Sequence, residues 1–395
     1  MRAPKLRGAA VVLVTLLACG ASVSSFAQPP IRVGATMSIT GNAYSVQGGY
    51  GREGYLLCQK HVNAQGGVLG RPIELVILDD QSDEKTAARL YEKLIVEDKV
   101  DAILGPYGSA ITEAVADVPE RYQKLMIAAN AATTSIWEKG RRYLIMVLAP
   151  VDSTVVGVLD VATRSGLKRV AIIAQDALVS KAVAKATSEE ARKLAMDVVL
   201  SETYATGMGD FSSVLNTVKA ANPEVLVTTS IRLDDLVAIT RKMKDLDLNV
   251  KMLASLPYGL LPEFQQRLGK DAEFVYSATF WEPALQNPGN QEFVAAYEKE
   301  FKRPPAVQSA NSYAGCQIFA EAVRRAGTTD SDKLRDAVLA LRTKTILGDF
   351  AVDGRGFQVG QKAVTIQWQD GKNVVVWPNE VASDKPRPTP PWSMR

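Results

Sequence analysis

The sequence predicts an α/β chain built on parallel sheets and divided into two lobes, and three observations carry that prediction. Apolar residues switch repeatedly between short β-branched runs and longer stretches with helical spacing, the pattern of strands joined by crossover helices. After a leader of 27 residues, the roughly 370 that remain exceed what one hydrophobic core usually supports. No later stretch approaches the roughly 20 apolar residues that a membrane-spanning helix needs.

The leader comes first in the chain. Arg2, Lys5 and Arg7 precede an apolar run over 9–18, and the small-residue ending Ser25-Phe26-Ala27 offers a cleavage point. A secretory signal peptide over 1–27 and a periplasmic location are therefore expected. Leu16-Leu17-Ala18-Cys19 partly resembles a lipobox, in which Cys19 would be acylated, although leucine before that alanine fits poorly. Cleavage removes three basic residues and no acid, so the formal net charge falls from +3 to zero. A neutral chain has no electrostatic footprint for nucleic acid, and none is expected as a partner. Cys58 and Cys316 both lie in apolar helical contexts and are read as buried free thiols in preference to a disulfide.

Strands are predicted over 31–37, 73–79, 102–104, 125–128, 169–174, 225–229 and 251–254. Helices are predicted between them over 51–65, 85–97, 109–122, 155–165, 181–194, 211–220 and 234–244. The order then changes. Helices over 291–301, 309–326 and 331–341 lead to the turn Phe350-Ala351-Val352-Asp353-Gly354-Arg355-Gly356 and a strand pair over 363–369 and 373–377. The four prolines in 385–395 mark a surface or frayed tail.

Several constellations suggest chemistry and are set aside. Gly49-Tyr50-Gly51-Arg52-Glu53-Gly54 fits GxGxxG, but it does not follow a strand through a tight turn, so helix packing explains it better than a dinucleotide. The chain has one histidine, His61, beside Lys60 on a predicted helix and read as solvated. No serine sits in a G-x-S-x-G elbow, so a hydrolytic triad is not expected. The His and Cys clusters of a zinc site are missing, and Asp79-Asp80-Gln81-Ser82-Asp83 reads as a strand-end turn and helix cap. No enzyme activity, cofactor or metal is expected.

Motifs in order along the chain resemble the type I periplasmic binding proteins of the branched-chain amino acid family, which serve ABC importers. They are Val33-Gly34-Ala35 through Thr40-Gly41, Asn63-Ala64-Gln65-Gly66-Gly67-Val68-Leu69-Gly70-Arg71-Pro72-Ile73-Glu74-Leu75, Asp79 to Asp83, Gly105-Pro106-Tyr107-Gly108-Ser109, and the Phe350 to Gly356 turn. The resemblance implies two Rossmann-like lobes joined by a three-segment hinge, with crossovers near 149–151, 277–280 and 350–353. Lobe 1 would comprise 28–149 plus 279–351, and lobe 2 would comprise 150–278 plus 352–384. It also implies a monomer that delivers a small ligand to a membrane permease.

The residues themselves point to an acid. Gly105-Pro106-Tyr107-Gly108-Ser109 joins a strand to a helix, where glycine admits close backbone approach and unpaired first-turn amides favour an anion. Ser109 could act only as a helix cap, but the resemblance makes the matching serine a carboxylate ligand. Asn130-Ala131-Ala132-Thr133-Thr134-Ser135 offers a second such end, so the amides of Gly108, Ser109, Ala131 and Ala132 would converge on one carboxylate.

The sequence departs from the amino-acid binders of that family at the groups that hold the ligand ammonium. The threonine position there falls on Ala132, the acidic position near Leu256, and aromatic positions near Val179 and on Ile231 or Arg232. A buried ammonium without partners is costly, so the expected ligand is an acid lacking an α-amino group, aromatic or otherwise hydrophobic. Tyr107, Tyr258, Phe280 and Trp281 could supply flat walls. Arg232 could grip a carboxylate or pair with Asp234 or Asp235, and Gln308 is a further pocket candidate. An aliphatic amino acid binder and a ligand-sensing module of the same fold remain as alternatives.

Overall fold

The computed structural model describes residues 28–41 and 44–395. The expected leader, with its Cys19 alternative, lies outside the described residues. The chain begins with β1 (Ile31–Met37), α1 (Ser45–Ala64), β2 (Ile73–Asp79), α2 (Glu84–Val96), β3 (Ala102–Leu104), α3 (Ser109–Val115), α4 (Asp117–Tyr122), β4 (Met126–Ala128) and β5 (Leu144–Met146). These strands form a wholly parallel sheet in the order β2-β1-β3-β4-β5. Its inner strands are buried on both faces by helices, which is why they appear in sequence as near-continuous apolar runs.

A second sheet follows from α5 (Thr154–Arg164), β6 (Arg169–Gln175), α6 (Leu178–Lys193), β7 (Asp197–Tyr204), α7 (Ser212–Ala221), β8 (Val225–Ser230), α8 (Leu233–Asp245), β9 (Met252–Pro257), α9 (Pro262–Leu268) and β10 (Tyr276–Thr279). Its parallel part has the order β7-β6-β8-β9-β10, the strand order of the first sheet repeated. The chain then adds α10 (Asn290–Phe301), α11 (Val307–Ala326), α12 (Ser331–Ala340) and the hairpin β11 (Arg342–Thr345) and β12 (Gly348–Ala351). It ends with β13 (Val364–Gln369) and β14 (Lys372–Trp377), which extend the second sheet antiparallel beyond β10.

Most of the predicted 277–280 crossover is β10 itself, so that passage between sheets begins at residue 280. The others run through 147–153 and 352–363. Gln361 ties these segments together. Its Oε1 accepts from the Ala149 amide at 2.7 Å, and its Nε2 donates to the carbonyls of Phe280 and Leu347 at 3.2 and 3.3 Å. Gln358 adds a bond from Nε2 to the Val147 carbonyl at 2.9 Å.

The helix predicted over 109–122 is two helices, broken at Ala116. Pro119 has no amide proton for the Val115 carbonyl, and its ring crowds that position. The Asp79 to Asp83 run is a turn and cap: Asp79 takes the Ile39, Thr40 and Gln81 amides, and Asp83 accepts from the Thr86 amide at 2.7 Å.

Two of the three glycines of the GxGxxG match, Gly51 and Gly54, serve packing, and a Cβ on Gly49 would meet nothing within 4 Å. A Cβ on Gly54 would lie 2.1 Å from the Ser309 carbonyl oxygen, and one on Gly51 would press on Met37 and Ser312. Helix α1 therefore lies flush against α11. That approach overturns the free-thiol expectation, because it brings Cys58 of α1 and Cys316 of α11 to a Cα separation of 6.2 Å and joins them in a disulfide. Nor is His61 a solvated surface residue. It is half-buried, with Nδ1 2.7 Å from the Tyr313 hydroxyl, and burial and Lys60 lower its pKa. The C-terminal segment packs on the second lobe, where Trp392 is buried and its Nε1 donates to the Leu248 carbonyl at 2.9 Å.

Candidate ligand-binding cleft

The carboxyl ends of the parallel strands in both sheets face one cleft, the place where an open α/β sheet presents loop backbone and helix starts to a ligand. The cleft holds a cavity of about 400 Å³. Residues after β3 and β4 form one wall, and residues after β8 and β9 form the other. A hydrogen bond of 2.7 Å between the Tyr107 and Tyr258 hydroxyls spans the two lobes. Burial pushes the Tyr107 pKa up to about 12 and raises that of Tyr258 well above its ordinary value, so both phenols are neutral at physiological pH. The Tyr44 ring meets that of Tyr107 edge-on at 5.7 Å between centroids.

On the first lobe, Gly108 turns the chain into α3 with φ of +90°, a conformation L side chains rarely adopt. Ser109 follows, its hydroxyl accepting a long bond of 3.3 Å from the Ala132 amide and keeping its proton free to donate. The Gly108 amide is spent on the Asn130 carbonyl at 3.1 Å. Two of the amides predicted to face a carboxylate are thus engaged with protein. The second predicted helix end is only a 3-10 turn, Thr134–Ile136, because the chain enters β5 soon afterwards. Available donors at this wall are the Ser109 hydroxyl and the Ser109 and Ala110 amides of the first turn of α3.

Behind them stands a buried amide pair. Asn130 Nδ2 donates to Ser312 Oγ at 2.8 Å, and Asn311 Nδ2 donates to Asn130 Oδ1 at 3.4 Å. Asn311 Oδ1 and Gln308 Oε1, both on α11 at the cavity, are buried without partners among the described residues. On the second lobe the polar groups are consumed internally. Ser230 Oγ bonds Gln175 and Asp235, Asp235 accepts from Tyr204, and Gln175 Oε1 accepts the Ile231 amide at 2.9 Å. What that lobe turns to the cavity is mainly Leu178, Val179, Ile231, Pro257 and Leu260.

Seven of the predicted residues line this cavity: Tyr107, Gly108, Ser109, Ala132, Val179, Tyr258 and Gln308. Three do not. Ala131 is buried behind the wall, because the side chains of a near-extended stretch alternate and Ala132 takes the cavity side. Leu256 is buried in β9, and its neighbour Pro257 reaches the cavity instead. Arg232 holds the N-cap position of α8 with its side chain near Asp235 at 3.4 Å and Asp234 at 3.6 Å, and lines the wider outer part of the cleft instead. The local acids of the helix's first turn claim the guanidinium. Asn130 and Asn311 were missed by sequence reasoning: Asn130 directly precedes the predicted Ala131, whereas Asn311 lies inside a long helix and carries no local signal. Among the described lining residues no acid comes from the second lobe, and Glu84, on the first, is exposed.

Comparison with known proteins agrees with this architecture. A protein of Brucella suis biovar 1 named Leu/Ile/Val-binding protein homolog 7 is 25% identical over 394 residues, covering 94% of this chain and 96% of its own. A branched-chain amino acid transporter substrate binding protein from Streptococcus pneumoniae, solved with isoleucine, superposes with a TM-score of 0.77 at 20% identity over 87% of this chain and 97% of its own. A solute binding protein of an ABC transporter from Rhodopseudomonas palustris BisB5, solved with 3,4-dihydroxy benzoic acid, gives 0.75 at 23% identity over 87% and 95%. The family model described as periplasmic binding protein matches residues 30–373, nearly every element of both lobes, and the chain belongs to that family.

Proposed function

We propose that this chain is the extracytoplasmic ligand-capturing component of an ABC importer, closing its lobes on a small hydrophobic or aromatic carboxylate. The observation that carries the reading is the asymmetry of the cavity. Free donors are concentrated at Ser109 and the start of α3, while the opposing wall is apolar and supplies no acid for an ammonium. A carboxylate would take the Ser109 hydroxyl and first-turn amides as charge-assisted bonds, and its apolar body would lie against Val179, Ile231 and Leu260. Tyr107 and Tyr258 would bridge the lobes over it.

Export through the expected amino-terminal leader is part of this reading, and the Cys58–Cys316 disulfide suits an oxidising compartment. Delivery to a membrane permease follows from the family. The isoleucine bound by the Streptococcus pneumoniae protein favours an aliphatic amino acid as a second reading, with exposed Glu84 as the group nearest to hand for an ammonium. Thermal melting against aromatic acids, branched amino acids and dicarboxylates decides between them. A ligand at a hundred times its dissociation constant adds about 2.7 kcal/mol of stability. Aromatic acids are expected to raise Tm, with the rise abolished in Ser109→Ala; stabilisation by leucine and by no aromatic acid would overturn the assignment.

A further inference from the structure

Beyond the inner cavity the cleft widens into a chamber of about 850 Å³. Tyr44, Ile231, Leu260, Leu261, Val307 and Gln308 line both spaces, so one opens into the other. Glu282 lies in the chamber wall, on the segment that carries the chain from β10 back to the first lobe. It is 8% exposed, and among the described residues its carboxyl has no hydrogen-bond donor and no ionic partner.

The burial is built and not incidental. Asn290 Oδ1 accepts from the Trp281 indole at 2.5 Å, and Asn290 Nδ2 donates to the carbonyls of Glu282, Pro283 and Leu285 at 3.2, 3.2 and 2.7 Å. One buried asparagine thus fixes the Trp281 ring and the backbone from Glu282 to Leu285. Burial alone pushes the carboxyl pKa up to about 8. The other charged groups around the chamber do not account for it. Asp234 is taken by Arg232 and Arg267, and neither Glu263 nor Lys372 contributes to the state of Glu282. A second acceptor without a partner, Gln308 Oε1, stands at the junction of the two spaces. A buried polar group without a partner calls for an explanation, and two such acceptors facing one chamber are explained together by a ligand that brings donors.

We propose that the outer chamber is a recognition subsite for an amino group at the far end of an elongated acid, with Glu282 as its carboxylate partner and Gln308 Oε1 as an added acceptor. The subsite rests on the carboxylate reading for the ligand's other end. Both groups on hand are acceptors once Glu282 is ionised, and an ammonium supplies three donors together with the charge that makes ionisation favourable in so dry a place. Tyr44 and the buried Trp281 stand in the same wall. An arriving ammonium would displace the carboxyl proton, so binding near neutral pH would release about one proton.

The test uses a ladder of ω-aminoalkanoates of increasing length, the matched unsubstituted alkanoates and the matched alkylamines. Each is titrated into the full-length protein by calorimetry in two buffers of different ionisation enthalpy. At one chain length the aminoalkanoate is expected to bind at least ten-fold tighter than its alkanoate and to release a proton. Glu282→Gln is expected to abolish both effects. Because the proton count is read on the unaltered chain, it does not depend on the variant folding. Equal binding of aminoalkanoates and alkanoates at every length overturns the subsite, as does an advantage and a proton release that survive in Glu282→Gln. If alkylamines bind as tightly as aminoalkanoates and Glu282→Gln weakens both, the subsite stands and the carboxylate grip at Ser109 is the part that fails. If alkanoates bind and the amino group adds nothing, the grip stands and the subsite falls.

Discussion

After β3 in the first lobe the chain runs through Tyr107-Gly108-Ser109, and the topologically equivalent β8 in the second ends at Ser230 and runs on through Ile231-Arg232. Both connections start a helix at the carboxyl edge of a parallel sheet, and each has a serine at hand. Their chemistry is nevertheless opposite. Ser230 is buried with its bonding capacity used by Gln175, Asp235 and the Arg232 amide, which leaves Ile231 to face the cleft. Ser109 receives one long bond from the Ala132 amide and keeps its proton for a ligand. One strand order thus yields a polar jaw and an apolar jaw, according to whether each loop's hydrogen bonds close within the lobe or remain open to the cleft.

The largest expected effect tests the segment between the jaws. Glu282 has its pKa raised to about 8 from an ordinary 4.5, so the folded chain prefers its neutral carboxyl. That contribution is fully present below about pH 4.5 and is lost as pH rises to about 8, on the order of 5 kcal/mol over the window. Denaturant melts across that range should show the decline in the parent and a flatter profile in Glu282→Gln; matching slopes would mean that the carboxyl is solvated. Next in size is the cross-link, present on the polar jaw alone. Replacing Cys58 and Cys316 together with serine should cost about 2–5 kcal/mol. Hydrogen exchange should rise first in α1 and α11, and an equal rise in both lobes would show them unfolding as one unit.

The jaw comparison itself is sharpened by a pair of serine variants. Ser109→Ala should weaken the ligand by about 1.5–3 kcal/mol, the range for a hydrogen bond to a charged group, with little change in melting of the free protein. Ser230→Ala should do the reverse, leaving affinity within about two-fold and lowering stability by about 1–3 kcal/mol as Asp235 loses a donor. If calorimetry finds equal losses of affinity, the two jaws are not chemically distinct. The smallest effect belongs to the bridge between them. Tyr107→Phe and Tyr258→Phe remove the same bond, so each should cost about 0.5–1.5 kcal/mol of closed-state stability, and the double variant should cost little more than either one. Full additivity in that cycle would separate the tyrosines.

The first three strands could be read from the sequence to their ends: β1 and β3 are short apolar runs buried on both faces, and β2, half-buried at the sheet edge, still carries the run Leu75-Val76-Ile77-Leu78. β5 sits in the buried apolar run 143–149 and was passed over although the signal was there, whereas β7 is an edge strand with mostly half-exposed side chains whose apolar run stops at Leu200. The break at Ala116 had a signal in Pro119 that the apolar spacing overrode. In the cleft, Tyr107, Gly108 and Ser109 were legible because a glycine beside a serine between strand and helix has a local meaning. Arg232 had two local readings, and its own helix supplied the nearer acids. Ala131 and Leu256 failed at the level of a single residue's facing, which spacing along the chain does not fix in a loop. Asn311 and the Cys58–Cys316 pair depend on segments far apart in the chain being pressed together, 258 residues apart for the cysteines.

That separation has a topological consequence. The first lobe is made from two stretches of chain, and the bond from Cys58 to Cys316 joins one to the other. All of the second lobe's parallel sheet, β6 through β10, lies on the loop so enclosed. The molecule is a covalent ring with two tails. A protease that nicks any exposed turn between the cysteines opens the ring without releasing a fragment, and only a reductant lets the pieces part. During synthesis the ring closes only after α11 has emerged, when the whole parallel sheet of the second lobe has already left the ribosome.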